Sequence, residues 1–136
     1  MLGSVECIVQ KNINDCAIAA LAMILGQPYR KVSDVALKLC IDPHTVGMDD
    51  HDINRVAAKF KAKFKLHMLM NPGVAPRVLE DHPTGLLTVI RGKKDAHVVA
   101  LFQGVVINPA DALIWDLDTY VLHGGWKLWL LQERIK

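Results

Sequence analysis

A long apolar run lies near the start of the chain. Residues 15–25, D-C-A-I-A-A-L-A-M-I-L, are apolar around the whole helical circumference rather than along one stripe, which predicts a helix buried on every side. Asn14 or Asp15 can cap its N-terminus, and Gly26 followed by Pro28 ends it. Val32, Val35, Ala36, Leu39 and Cys40 recur at helical spacing and predict a second helix. Ile53, Val56, Ala57, Phe60 and Phe64 predict a third, with Asp49 and Asp50 at its start. The pattern then changes to short runs bounded by Gly, Pro or Asp. Leu66 to Leu69, Leu86 to Ile90, His97 to Phe102, Val105 to Asn108 and Lys127 to Leu131 read as strands, and Asp116 to Leu122 as one short helical turn before the last of them. Helices first and strands afterwards predict an α+β fold, an N-terminal helical half packed on a C-terminal antiparallel sheet. Parallel βαβ winding is disfavoured, because no helical pattern of crossover length separates the later strands.

At 136 residues the chain is expected to be a single domain, 1–136, large enough to bury its own core. With 51% apolar and 22% charged residues it belongs with folded globules rather than disordered tails. A formal charge of +2 is too small to argue for nucleic acid. The one basic run, Lys59, Lys61, Lys63 and Lys65, reads as a solvated face near a helix C-terminus, where cations suit the dipole. The first ten residues lack a basic region followed by an apolar stretch, and no apolar run reaches the roughly 18–20 residues that span a bilayer. The expectation is a cytoplasmic protein with no membrane span. Three cysteines with no C-x-x-C pair fit a reducing compartment better than a disulfide framework.

Of those cysteines, Cys16 has the placement of a nucleophile. It falls in the first turn of the buried helix, where unpaired backbone N–H groups and the helix dipole stabilise a thiolate. Cys7 lies in an extended N-terminal segment, and Cys40 at a helix end where the dipole opposes a thiolate. A thiolate needs a base from elsewhere in the fold. His97 opens the strand H-V-V-A-L-F, which a short turn around Gln103-Gly104 joins to V-V-I-N-P. With two residues in that turn, Phe102 pairs with Val105 and Val99 with Asn108, so His97, Val99 and Asn108 share one face. His97 and Asn108 are then diagonal neighbours, close enough for the amide oxygen to orient the imidazole. An odd-length loop would put Asn108 on the opposite face. Gln10, six residues before Cys16, is a candidate side-chain donor to an oxyanion, alongside the Cys16 backbone N–H.

These segments resemble a family. Q-K-N-I-N-D-C-A-I-A-A-L-A-M-I-L-G is similar to the catalytic-cysteine segment of the bacteriocin-processing (double-glycine leader) peptidases fused to many ABC exporters. T-V-G-M-D-D-H-D-I-N-R-V-A-A-K-F resembles that family's second conserved stretch, and H-V-V-A-L-F-Q-G-V-V-I-N-P-A-D its hairpin of histidine and acid. The closing G-G-W-K-L-W-L-L resembles its final Trp-containing strand. The likeness covers about residues 10 to 131. It implies a papain-like fold with Cys16 as nucleophile, His97 as general base, Asn108 as orienting residue and Gln10 as oxyanion donor. It also implies a peptide or protein substrate with small residues, such as Gly-Gly, before the scissile bond. Two residues depart from the pattern: Ala17 stands where the family has Gly, and Asn108 where it has Asp. With no transmembrane or ATPase region in the sequence, a free-standing catalytic domain is expected.

Other clusters have simpler readings. Asp49, Asp50, His51 and Asp52 are consecutive at a helix start and point in different directions, so they cap rather than chelate. His44, His67, His82 and His123 have no Cys or acidic partner at ligand spacing, and neither a metal nor any other cofactor is expected. Gly124-Gly125 signals a turn, and Trp115, Trp126 and Trp129 read as core or rim packing. The expected activity is thiol-dependent hydrolysis of a peptide or isopeptide bond. The alternatives are transfer of the acyl group to an amine, deamidation, and a peptidase fold that holds a peptide without turnover.

Overall fold

A computed structural model describes residues 16–41, 50–70, 84–90, 96–109, 113–116 and 128–135. Among these residues three helices, α1 (Cys16–Leu25), α2 (Tyr29–Lys38) and α3 (Asp50–Ala58), precede six strands. The strands are β1 (Lys63–Met70), β2 (Gly85–Ile90), β3 (Ala96–Phe102), β4 (Val105–Ile107), β5 (Ile114–Asp116) and β6 (Leu128–Ile135). They form one sheet in the order β1-β6-β2-β3-β4-β5, with every neighbouring pair antiparallel. The architecture is the expected α+β arrangement of helices on an antiparallel sheet.

The all-round apolar character of α1 has the consequence expected of it. Every residue from Ala17 to Leu25 is buried, and the helix packs on β3 and β2 with α2 and α3 beside it. The helix-facing side of the sheet is supplied by alternate residues of successive strands: Phe64, Leu86, Val98, Ala100 and Ile107 join the same core as Ile18, Leu21, Val32, Ile53 and Val56. Leu87, Val99, Leu101, Val106 and Leu131, on the other face, are also buried, so the central strands are apolar on both sides. Long-range polar links tie the layers together. Arg134 Nη1 on β6 donates to the Ile24 carbonyl at the C-terminus of α1 (2.8 Å), and Arg55 Nη2 on α3 donates to the Leu39 carbonyl at the end of α2 (3.2 Å). In both, a cation meets the negative end of a helix.

All three helices end alike. In α1 the Gln27 N–H reaches back to the Ala22 carbonyl (3.1 Å), in α2 Ile41 to Ala36 (3.0 Å), and in α3 Ala62 to Ala57 (3.0 Å). This is the Schellman closure, which needs a left-handed residue just past the helix. That residue is Gly26 (φ 66°) in α1, but Cys40 (φ 61°) in α2 and Lys61 (φ 60°) in α3. A side chain there costs about 1–2 kcal/mol relative to glycine. Lys61→Gly is therefore expected to raise stability by about 1 kcal/mol, and Gly26→Ala to lower it by a similar amount, since nothing lies within 4 Å of an added Cβ and only the dihedral is strained. Urea unfolding curves of the two variants check both signs.

Some boundaries differ from the sequence reading. Phe64 follows the helical period of Ile53, Val56, Ala57 and Phe60, yet it sits on β1, because the left-handed turn at Lys61 ends α3 first. It is buried in either case, as it lands on the helix-facing side of the sheet. β1 begins at Lys63 rather than Leu66; Lys63 and Lys65 are exposed and alternate with Phe64, on an edge strand where charges suit. Residues 114–116 form a short edge strand, so Asp116 is extended rather than helical; residues 117–122 lie outside the described residues. So do Cys7, Gln10, Asn14, Asp15, His44, Asp49, His82, His123, Gly124, Gly125 and Trp126.

Candidate active site

The hairpin of β3 and β4 sets the geometry of the site. Gln103 (φ 50°) and Gly104 (φ 83°) are both left-handed, the signature of a two-residue type I′ turn. Phe102 therefore faces Val105, Leu101 faces Val106 and Ala100 faces Ile107. One step further along this register, Val99 faces Asn108, so His97 and Asn108 are diagonal neighbours on one face. Their side chains meet: His97 Nε2 donates to Asn108 Oδ1 at 2.7 Å. The Asn108 backbone is anchored in turn, its N–H donating to the Leu113 carbonyl (3.0 Å).

With Nε2 carrying the proton that Asn108 accepts, Nδ1 is the nitrogen left to face a nucleophile. Cys16, the first residue of α1, is hydrogen-bonded to His97. Burial, the largest single influence on the Cys16 thiol, pushes its pKa up. The hydrogen bond with His97, the Val98 backbone N–H, the positive charge of the imidazole and the Ala17 backbone N–H together outweigh it, and the thiol is more acidic than an ordinary cysteine. Placement at a helix N-terminus supplies the Ala17 donor. Ala17 itself is 3% exposed and packs in the core.

Of the four residues singled out from the sequence, the structure thus brings Cys16, His97 and Asn108 into one hydrogen-bonded chain; Gln10 lies outside the described residues. The Val98 backbone donor has no signature in composition or periodicity. Cys40 is a free thiol at the left-handed end of α2, away from this arrangement. His67 has the acidic partner that its sequence neighbours do not provide: its Nε2 donates to Glu133 Oε1 (3.1 Å) across the β1–β6 pair. Among the described residues no three His, Cys, Asp or Glu side chains converge as metal ligands. Among them, too, no helix is long and apolar enough to cross a membrane.

An acid-shifted thiol makes a direct prediction. A lowered pKa means the thiolate persists as pH falls, so the rate of Cys16 alkylation by iodoacetamide should reach its plateau at a lower pH than for a simple thiol. His97→Ala removes both influences that the imidazole exerts and leaves burial dominant, so the midpoint should move up. Intact-mass measurement of adduct formation across pH, with Cys40 as internal comparison, reads both changes.

A thiol at the N-terminus of a buried helix, facing a histidine on an antiparallel sheet, is the arrangement of the papain-like cysteine peptidases. Residues 4–103 match the Peptidase C39 family, and the chain belongs to that family. It is a cysteine peptidase. The family match includes Cys16 and His97 and stops short of Asn108. Two solved structures have the same fold. One is a double glycine motif protease from an AMS/PCAT transporter in complex with its leader peptide, similar with a TM-score of 0.57 and 17% identity over 95% of this chain and 91% of that one. The other is the peptidase domain of Streptococcus ComA, a bifunctional ABC transporter involved in quorum sensing, with a TM-score of 0.51 and 15% identity over 93% of this chain and 96% of that one. At these identities the likeness is one of fold. No curated protein matches the chain significantly.

Proposed function

We propose that the chain hydrolyses a peptide bond that follows small residues, Gly-Gly in the simplest case, using Cys16, His97, Asn108 and Gln10. The observation that carries this reading is the chain of contacts from the acidified Cys16 thiol to His97 and from His97 Nε2 to Asn108 Oδ1 at 2.7 Å. The Cys16 thiolate attacks the carbonyl carbon, and the S–C bond forms as the oxygen takes up charge. The Cys16 backbone N–H and the Gln10 side-chain amide are the donors assigned to that oxyanion. The imidazolium then gives its Nδ1 proton to the amine as the C–N bond breaks, leaving a thioester. Water attacks the thioester while Nδ1 takes its proton, the S–C bond breaks, and the free carboxylate leaves.

Asn108 holds the imidazole so that Nδ1 keeps facing the sulfur through both proton transfers. Unlike an Asp it adds no charge, so it orients the ring rather than stabilising the imidazolium by Coulomb attraction. The small-residue preference is supported by family membership and by the double glycine motif protease that shares the fold. An acidified thiol favours turnover over a fold that merely holds a peptide, which would need no thiolate.

Cleavage of a randomised peptide library, read by mass spectrometry with Cys16→Ala as control, tests the reading. The expected result is cutting after small residues with Gly-Gly enriched, and none in the control. Equal cutting by the control, or none by either protein, would count against it.

A further inference from the structure

The end of the β3–β4 ladder does more than release Asn108. In a two-residue type I′ hairpin the pair flanking the turn, here Phe102 and Val105, exchanges both backbone hydrogen bonds, and such pairs then recur at every second residue. Ala100–Ile107 is the next hydrogen-bonded pair, and the one after it would join Val98 to Pro109. The ladder stops at Ala100–Ile107 instead. Pro109 has no N–H to donate to the Val98 carbonyl, and its fixed φ near −65° is far from the roughly −140° of an antiparallel strand. The same alternation aims the Val98 N–H away from β2 and toward the side that β4 has vacated. That side is where the N-terminus of α1 arrives, and the Val98 N–H is hydrogen-bonded to Cys16.

We propose that the Val98 backbone N–H is a built-in donor to the reacting sulfur of Cys16, and that Pro109 is a positioning residue that keeps this N–H out of the β3–β4 ladder. The inference rests on the reading of Cys16 as nucleophile and adds to it. The thiolate then has three donors on two elements: Ala17 N–H from the helix, and the His97 ring and Val98 N–H from the strand. Two consecutive strand residues serve the same sulfur because the strand edge is open beside them. A fully paired edge would leave only the imidazole. The arrangement also explains why the third member of the site comes directly before a proline. Asn108 is the last residue that can stay in register with β3, and the chain must leave the sheet one residue later.

The test replaces the Val98 amide by an ester, using the α-hydroxy analogue of valine, which deletes the N–H and keeps the side chain. No sheet hydrogen bond is lost, since this N–H faces away from β2. The readout is the pH midpoint of Cys16 alkylation, with Val98→Ala as the control that keeps the N–H. Loss of a hydrogen bond to a charged group should raise the midpoint by about one pH unit in the ester and leave Val98→Ala at the wild-type value. Pro109→Ala, which restores a donor and lets the next pair close, should shift the midpoint in the same direction by a smaller amount. An unchanged ester midpoint overturns the role of the Val98 N–H. A shifted ester with an unchanged Pro109→Ala overturns the role of the proline. If the wild-type midpoint is already that of a simple thiol, the reading of Cys16 as an activated nucleophile fails instead.

Discussion

His97→Ala is expected to lower kcat for peptide cleavage by about 10⁴-fold while leaving KM nearly unchanged. The reason is that one ring does two jobs. It holds Cys16 as a thiolate by a hydrogen bond and by its charge, against a burial that works the other way. In the proposed reaction it also carries the proton to the leaving amine and takes one from the incoming water. Neither job contributes to holding the substrate, so the loss falls on the chemical steps. Asn108→Ala provides the graded comparison. It removes only the 2.7 Å bond that orients the ring, and a hydrogen bond to a group that becomes charged is worth about 1.5–3 kcal/mol, so kcat should fall by roughly 10- to 100-fold. Steady-state kinetics on the best library peptide separate the two. A loss below tenfold for His97→Ala would show that another base serves the thiol.

The second large effect is on stability. Gly85→Ala should destabilise the fold by about 3 kcal/mol or more, lowering the melting temperature by on the order of 10 °C. Gly85 opens β2 in the middle of the sheet, paired with Leu101 of β3 on one side and Glu133 of β6 on the other. A Cβ there would overlap the Gln132 carbonyl oxygen and come within 2.9 Å of its carbon and 3.0 Å of Glu133 Cα. These are backbone atoms in a buried sheet, so no side chain can swing aside. The strands must separate at their junction, where the Arg134 N–H also bonds the Thr84 carbonyl (2.7 Å). Calorimetry on Gly85→Ala beside Gly26→Ala measures the contrast: one glycine is required by a close approach of backbones, the other only by a dihedral. Equal, small losses would mean that the β2–β6 contact is looser than described.

Several features could be read from the residues because they are set within a few positions of one another. The all-round apolar run at 16–25 is buried whatever packs on it, so it had to be the central helix, and its first turn is where a cysteine becomes acidic. Gln103-Gly104 can adopt the two positive φ angles of a tight hairpin, and that turn alone brings Asn108 diagonally beside His97. The change from helical to strand period predicted the α+β division. The same local reasoning erred where two signals overlapped. Phe64 fitted both periods, and only the left-handed turn at Lys61 decided between them; Ile114–Asp116 is too short to show an alternation.

What the local pattern could not supply was pairing between distant segments. That β6 inserts between β1 and β2 puts Glu133 beside His67, Arg134 under the end of α1 and the Gln132 carbonyl against Gly85, contacts across 47 to 110 residues that no period encodes. Cys16 and His97 were each identifiable by type and setting, but their contact depends on α1 arriving at the edge of β3 where β4 has ended. Side-chain periodicity reports which face of an element seeks burial. It carries no information on which strand lies next to it or where a backbone N–H is left pointing, and those two facts complete the site.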